Sequence, residues 1–162
     1  MSTSAMVEAQ KGENLRLEVR RVIRASRERI FEAWTRPEQI QRWFGPPNVI
    51  MVAAEADVVE GGHYSIQTTV GPSGPGESEE IRRAGVTGEY LNVIPNLLLR
   101  FTWRADWNPG AETIVTVQLQ DVEGGTEVIV KQEHFTDEQW RSRHEQGWTG
   151  ALDKMAAYLE HY

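Results

Sequence analysis

TDEQWRSRHEQGWTGALDKMAAYLE, residues 136–160, is the stretch whose period decides the class of fold. Trp140, His144, Trp148, Leu152, Met155 and Leu159 recur three or four positions apart, with Ala151 and Tyr158 beside them, so one face of a helix is apolar throughout. Thr136 followed by Gln139 has the spacing of a capping box, which predicts a helix from about Asp137 to Glu160. Such a helix is ~36 Å long at about 1.5 Å per residue, the reach of strands of about ten residues. It can lie along a whole sheet. Gly147 and Gly150 each cost about 1 kcal/mol against alanine inside a helix. Close approach to a sheet, a break into two pieces, or room for a ligand would each require them.

Upstream, the period is two. Residues 49–59, 63–70, 81–93, 97–105, 113–121 and 126–135 read as strands, separated by Gly61-Gly62, a long Gly/Pro loop at 71–80, Pro95-Asn96, the Trp107–Gly110 turn and Glu123-Gly124-Gly125. The 71–80 loop lacks the Lys-Ser/Thr pair of a phosphate loop and reads as a mobile hairpin tip. An earlier strand begins at Asn14, where Leu15, Leu17 and Val19 alternate with charged residues and lead into Val22 and Ile23. Between the first two strands, Ser26 caps a helix with Ile30, Ala33 and Trp34 on one face, ended before Pro37. Pro37 opens a second short helix with Ile40, Trp43 and Phe44 inward and Gly45-Pro46-Pro47 as its stop. Short links make successive strands antiparallel, so the expected fold is α+β: a seven-stranded antiparallel meander, two short helices after the first strand, and one long helix at the end.

One domain accounts for 162 residues, with residues 1–13 as a loose leader and 14–162 as the folded unit. No apolar run is long enough to span a membrane, and no basic-then-apolar start suggests export, so a cytoplasmic location is expected. The absence of cysteine excludes disulfides, thiolate metal sites and a cysteine nucleophile. A net charge of -7, from 24 acidic and 17 basic residues, repels phosphate backbones and argues against a nucleic-acid partner.

Catalytic patterns are sparse. His63, His134, His144 and His161 are mutually distant and never spaced to give two nitrogens to one metal, so no metal or cofactor is expected. No Gly-x-Ser-x-Gly elbow is present. His134 is in phase with Val128 and Val130, which points it toward the inner side of the sheet. The aromatic set is richer: Trp43, Trp103, Trp107 and Trp148 fall on faces turned toward the helix-covered side. The inner rows are Tyr64, Ile66 and Thr68, then Leu99, Phe101 and Trp103, then Val115, Val117 and Leu119. Each could be simple core. A curved sheet wrapped about one helix nevertheless leaves a space that one helix cannot fill, with Thr68, Gln132, His134 and the indole nitrogens as its polar groups.

Four ordered pieces carry a family resemblance. The first is Val22-Ile23-x-Ala25-Ser26, then Ile30-Phe31-x-Ala33-Trp34-Thr35-x-Pro37-Glu38-x-Ile40, then Trp43-Phe44-Gly45-Pro46. Gly61-Gly62-x-Tyr64 follows, then Gly88-Glu89-Tyr90-Leu91-x-Val93-x-Pro95 leading to Leu98 and Phe101-Thr102-Trp103. The last is Gly147-Trp148, then Leu152-Asp153-x-Met155, then Tyr158-Leu159. Together they resemble the heat-shock-protein-90 ATPase activator homologue family of the START-like (SRPBCC) superfamily, over about residues 15–160.

The resemblance implies a helix-grip fold, a curved seven-stranded sheet gripping the C-terminal helix around an apolar cavity. It implies binding of a hydrophobic or aromatic small molecule or lipid, in a stress-related setting, with no catalytic residue identified. The alternatives are a polyketide cyclase/aromatase-like enzyme and a chaperone-interacting module, and a homodimer is compatible with either. In the family, the chaperone activity also draws on a separate N-terminal domain. The candidate ligand-binding residues are Trp43, Phe44, Tyr64, Ile66, Phe101, Trp103, Trp107, His134, Trp148, Leu152 and Met155.

Overall fold

A computed structural model describes residues 15–72, 81–107 and 111–161. The expected leader, most of the 71–80 loop and the 108–110 turn lie outside the described residues. Strand β1 (Leu15–Ile23) leads into α1 (Arg27–Thr35) and α2 (Pro37–Trp43). Then come β2 (Val49–Ala56), β3 (His63–Val70), β4 (Arg82–Ile94), β5 (Leu98–Ala105), β6 (Thr113–Val122) and β7 (Gly125–Phe135), and last α3 (Glu138–Glu160). The strands form one antiparallel sheet in the order β1-β7-β6-β5-β4-β3-β2. The meander runs from β2 to β7, and β1 returns to pair with β7, with α1 and α2 carrying the chain across.

Local chemistry explains the boundaries. Ser26 Oγ accepts the Arg29 N–H at 3.2 Å and caps α1, and Pro37 occupies the first turn of α2, where its missing N–H costs nothing. β2 stops at Ala56 rather than 59, because a tight turn closed by Gly62 N–H to Val59 O, with Gly61 at φ 87°, takes over. The expected Thr136 cap of α3 is corrected to Asp137, whose carboxylate accepts from Gln139 N at 2.7 Å and Trp140 N at 3.2 Å. A carboxylate there also meets the positive end of the helix dipole.

The helix α3 packs chiefly on β1, with further contacts to β7, α2 and α1, while α2 covers β2. The concave face is thus covered from both edges of the sheet, and the middle strands look into the space between. Leu152 and Met155 of α3 are fully buried in the core with Val115, Val117, Val128 and Val130. Among the described residues no helix is long and apolar enough to cross a membrane.

Candidate functional site

The middle of the concave face is closed by rings. Trp43 Nε1 donates to Ala33 O at 2.8 Å and ties α2 to α1. Trp34 lies 4.6 Å from Trp43 and 5.7 Å from Trp148, and Trp148 lies 5.3 Å from Trp103. Phe44 completes this seam, 6.2 Å from Trp103. Tyr64, Tyr90 and Phe101 form a second cluster with centroids 5.3 to 6.0 Å apart. The void left among these side chains is about 30 Å³, room for water rather than for a ligand. Trp43, Phe44, Tyr64, Ile66, Phe101 and Trp103, all sequence candidates, surround it. Tyr64 donates its hydroxyl to Thr102 O at 2.6 Å. Burial raises both phenols, Tyr90 to about 12, so neither ionises near neutral pH.

The larger space lies toward the N-terminal half of α3. A groove of about 320 Å³ runs between Trp140, His144, Gly147 and Trp148 of α3, Thr68 and Val70 of β3, Trp103 of β5 with Trp107 beyond it, and the Phe44-Gly45-Pro46 loop. That is the scale of a small-molecule site. Its walls are almost wholly apolar; Arg143, its one charged lining residue, sits 5.2 Å over the Trp140 ring. Lys154 fixes the loop wall, its ammonium donating to the carbonyls of Phe44, Gly45 and Pro46 at 3.4, 3.1 and 3.4 Å. Burial pushes that ammonium below its ordinary pKa. Gly45 adopts φ 92°, a conformation that favours glycine, as the chain turns along this wall.

The helix glycines follow from the same geometry. The helix α3 is continuous, and a Cβ built at Gly147 meets no atom within 4 Å. Neither close approach nor a break explains that residue. Open space does, and Gly147 borders the groove.

His144 is one of the polar residues of the groove, with Thr68 and Arg143. Its Nδ1 lies 2.7 Å from Trp140 O, and because a carbonyl only accepts, Nδ1 carries the proton and Nε2 is left with a lone pair. Burial pushes the imidazole below its ordinary 6.5, partly offset by that backbone carbonyl. Its ring is flanked by Phe135 at 5.2 Å and by Trp103 and Trp107, each at 6.1 Å. His144 Nε2 and Trp103 Nε1 are buried without a hydrogen-bond partner among the described residues. A void of about 10 Å³ lies behind the groove, bounded by Trp103, Thr113, Phe135 and His144.

Four residues named from the sequence, His134, Leu152, Met155 and Gln132, stand outside the groove. His134 is exposed and borders neither groove nor voids. The pairing passes from Arg16↔Glu133 to Leu15↔Phe135, so His134 is the extra residue of a β-bulge, at φ 76°, and Phe135 takes the inward place. Leu152 and Met155 pack in the core away from the groove. Gln132 is fully buried but outside the groove, accepting from Trp148 Nε1 at 2.7 Å and donating to Thr113 Oγ1 at 2.8 Å. Of the remaining candidates, Phe44, Trp103, Trp107 and Trp148 line the groove. The sequence reading missed His144 and Trp140 by counting them in the packing face of the helix. A histidine between two tryptophans on an apolar stripe was the available signal. Among the described residues no three His, Asp or Glu gather as metal ligands.

Solved structures place this architecture. Protein CV1439 from Chromobacterium violaceum matches at 25% identity over 90% of this chain and 96% of its own, with a TM-score of 0.74. The AHSA1 protein from Silicibacter pomeroyi matches at 25% identity over 90% and 98%, with a TM-score of 0.72. CalU16 from Micromonospora echinospora, at 22% identity over 90% and 76% and a TM-score of 0.66, shares the fold. The comparison with curated proteins returns no match. The sheet gripping a terminal helix, the relatives that share it, and the family match over residues 24–160 agree: this chain belongs to the Activator of Hsp90 ATPase homolog 1-like protein family.

Proposed function

We propose that this protein binds an aromatic or otherwise apolar small molecule in the groove beneath the N-terminal half of α3. The observation that carries the reading is an apolar groove of about 320 Å³ walled by Trp103, Trp107, Trp140 and Trp148 and bordered by Gly147, where a Cβ would meet no atom within 4 Å. Phe44, Trp103, Trp107 and Trp148 contact the ligand, whereas Trp43, Tyr64, Ile66 and Phe101 support them from behind. Burying ~200 Å² of ligand surface at about 25 cal/mol per Å² yields roughly 5 kcal/mol before association costs. Micromolar affinity therefore asks for more contact or a good hydrogen bond.

Calorimetry with N-phenyl-1-naphthylamine, an uncharged apolar fluorophore, tests this. Binding is expected with a negative heat-capacity change and a shift in tryptophan emission. Gly147→Leu should abolish it by filling the groove from an unstrained helix position. Undiminished binding to that variant would place the site elsewhere.

A polyketide cyclase-like activity is the second reading. His144 favours it, as a neutral imidazole with an acceptor nitrogen and thus a candidate general base. Catalysed deuterium exchange at the acidic carbon of bound 2-tetralone, lost in His144→Phe, is its test. Chaperone contact, which the family description suggests, would draw instead on an exposed apolar surface such as Ile50 and Met51 of edge strand β2.

A further inference from the structure

Arg143 stands apart from the other polar groups of the groove. Thr68 gives its hydroxyl hydrogen to Ala84 O at 3.1 Å, His144 Nδ1 gives its proton to Trp140 O, and Trp148 Nε1 donates to Gln132. His144 Nε2 and Trp103 Nε1 are buried out of reach. Arg143 is exposed, and its guanidinium rests 5.2 Å over the Trp140 ring, a contact through charge rather than through its N–H groups. The carboxylates of the same stretch of α3 are already engaged: Glu138 and Glu145 pair with Arg141 at 2.6 and 3.6 Å, and Asp137 caps the helix. Among the described residues nothing accepts from the Arg143 guanidinium, in a chain whose net charge is -7.

We propose that the ligand of this groove is an aromatic carboxylate, its ring system on the tryptophans and its carboxylate at the mouth against Arg143. The inference rests on the groove being the binding site and adds the charged group that the site selects and the direction in which the ligand lies. A carboxylate pushed inward would lose its hydration against apolar walls, so it stays at the mouth, where water and Arg143 both solvate it. The planar guanidinium offers a carboxylate two parallel N–H donors, a match that a neutral amide uses only in part. An ammonium would meet Arg143 as a like charge, and no carboxylate lines the groove to offset it. The flat indoles of Trp103, Trp107, Trp140 and Trp148 favour an aromatic body over an alkyl chain.

The test is competition against N-phenyl-1-naphthylamine by 2-naphthoate, 2-naphthamide and 2-naphthylmethylammonium, which share one ring system and differ in charge. 2-Naphthoate is expected to bind the native protein about fivefold more tightly than the amide at low salt, the effect of one well-formed ion pair at an exposed site, and the ammonium more weakly than either. At ~1 M salt that preference should shrink to within about twofold. In Arg143→Gln it should vanish while the amide keeps its affinity. Arg24→Gln removes the same charge from an exposed site at the far end of α3, beside Glu160, and should keep the preference. If naphthoate gains nothing over the amide on the native protein, or if Arg24→Gln weakens naphthoate as much as Arg143→Gln does, the carboxylate assignment is overturned and the groove stands. If none of the three displaces the probe and Gly147→Leu leaves probe binding intact, the groove reading falls and this inference with it.

Discussion

Burial keeps the His144 imidazole neutral at a pH where an exposed histidine has already taken a proton, and that difference has a sign. Its pKa in the folded protein lies below 6.5, while in the unfolded chain it returns to 6.5, so between those values the unfolded state binds more protons. This contribution to stability is complete above 6.5 and is lost as pH falls through 6.5 toward the folded value. Urea unfolding at about pH 7.5 and about pH 5.5 should show a larger acid-side loss in the native protein than in His144→Phe. Equal losses would mean that the ring is solvated. His134 makes the contrast: two histidines with similar claims from sequence periodicity are separated by one bulge, which turns one ring out to solvent.

The α3 helix retains two glycines against its own propensity, but they differ in what surrounds them. Gly147 borders the groove and Gly150 does not, although a Cβ at either position meets nothing within 4 Å. Gly150→Ala should therefore stabilise the protein by about 1 kcal/mol, raising the melting temperature by roughly 2–4 °C, and leave probe binding unchanged. Gly147→Ala should stabilise as much. If either alanine variant melts lower, the space beside α3 has been misread. The element was legible from its repeat of apolar positions, and so was its length. Its cap was read one residue early, since Thr136 and Asp137 are both capping residues and only the path of the entering chain brings Asp137 to the two free N–H groups.

Taken whole, the space between sheet and helices has a filled half and an open half. Phe101 packs among Tyr64 and Tyr90 in the filled half, where truncation leaves a cavity. Phe101→Ala is expected to cost about 3–5 kcal/mol, a large share of a domain's ~5–15 kcal/mol. Trp107 is 37% exposed at the mouth of the groove. Trp107→Ala should lower stability by less than about 1 kcal/mol yet weaken N-phenyl-1-naphthylamine binding several-fold. Chemical unfolding and probe titration of both variants separate the two roles. A Trp107→Ala protein that binds normally would move the ligand away from the open half.

The sequence by itself determined the elements, their order, the antiparallel meander and the inner rows of β3, β5 and β6, because the periods of 2 and 3.6 residues and the Gly/Pro breaks are local properties of the chain. It also placed Trp103, Trp107 and Trp148 on the concave side. Which of those rings meet each other and which face open space was decided by the approach of α3 to β1 and of α2 to β2, distances that no local pattern encodes. The same holds for the Lys154 clamp on residues 44–46, made between groups 108 to 110 positions apart. The orientation of His134 turned on a one-residue slip in the pairing with β1, a register event that exists only once the two strands meet.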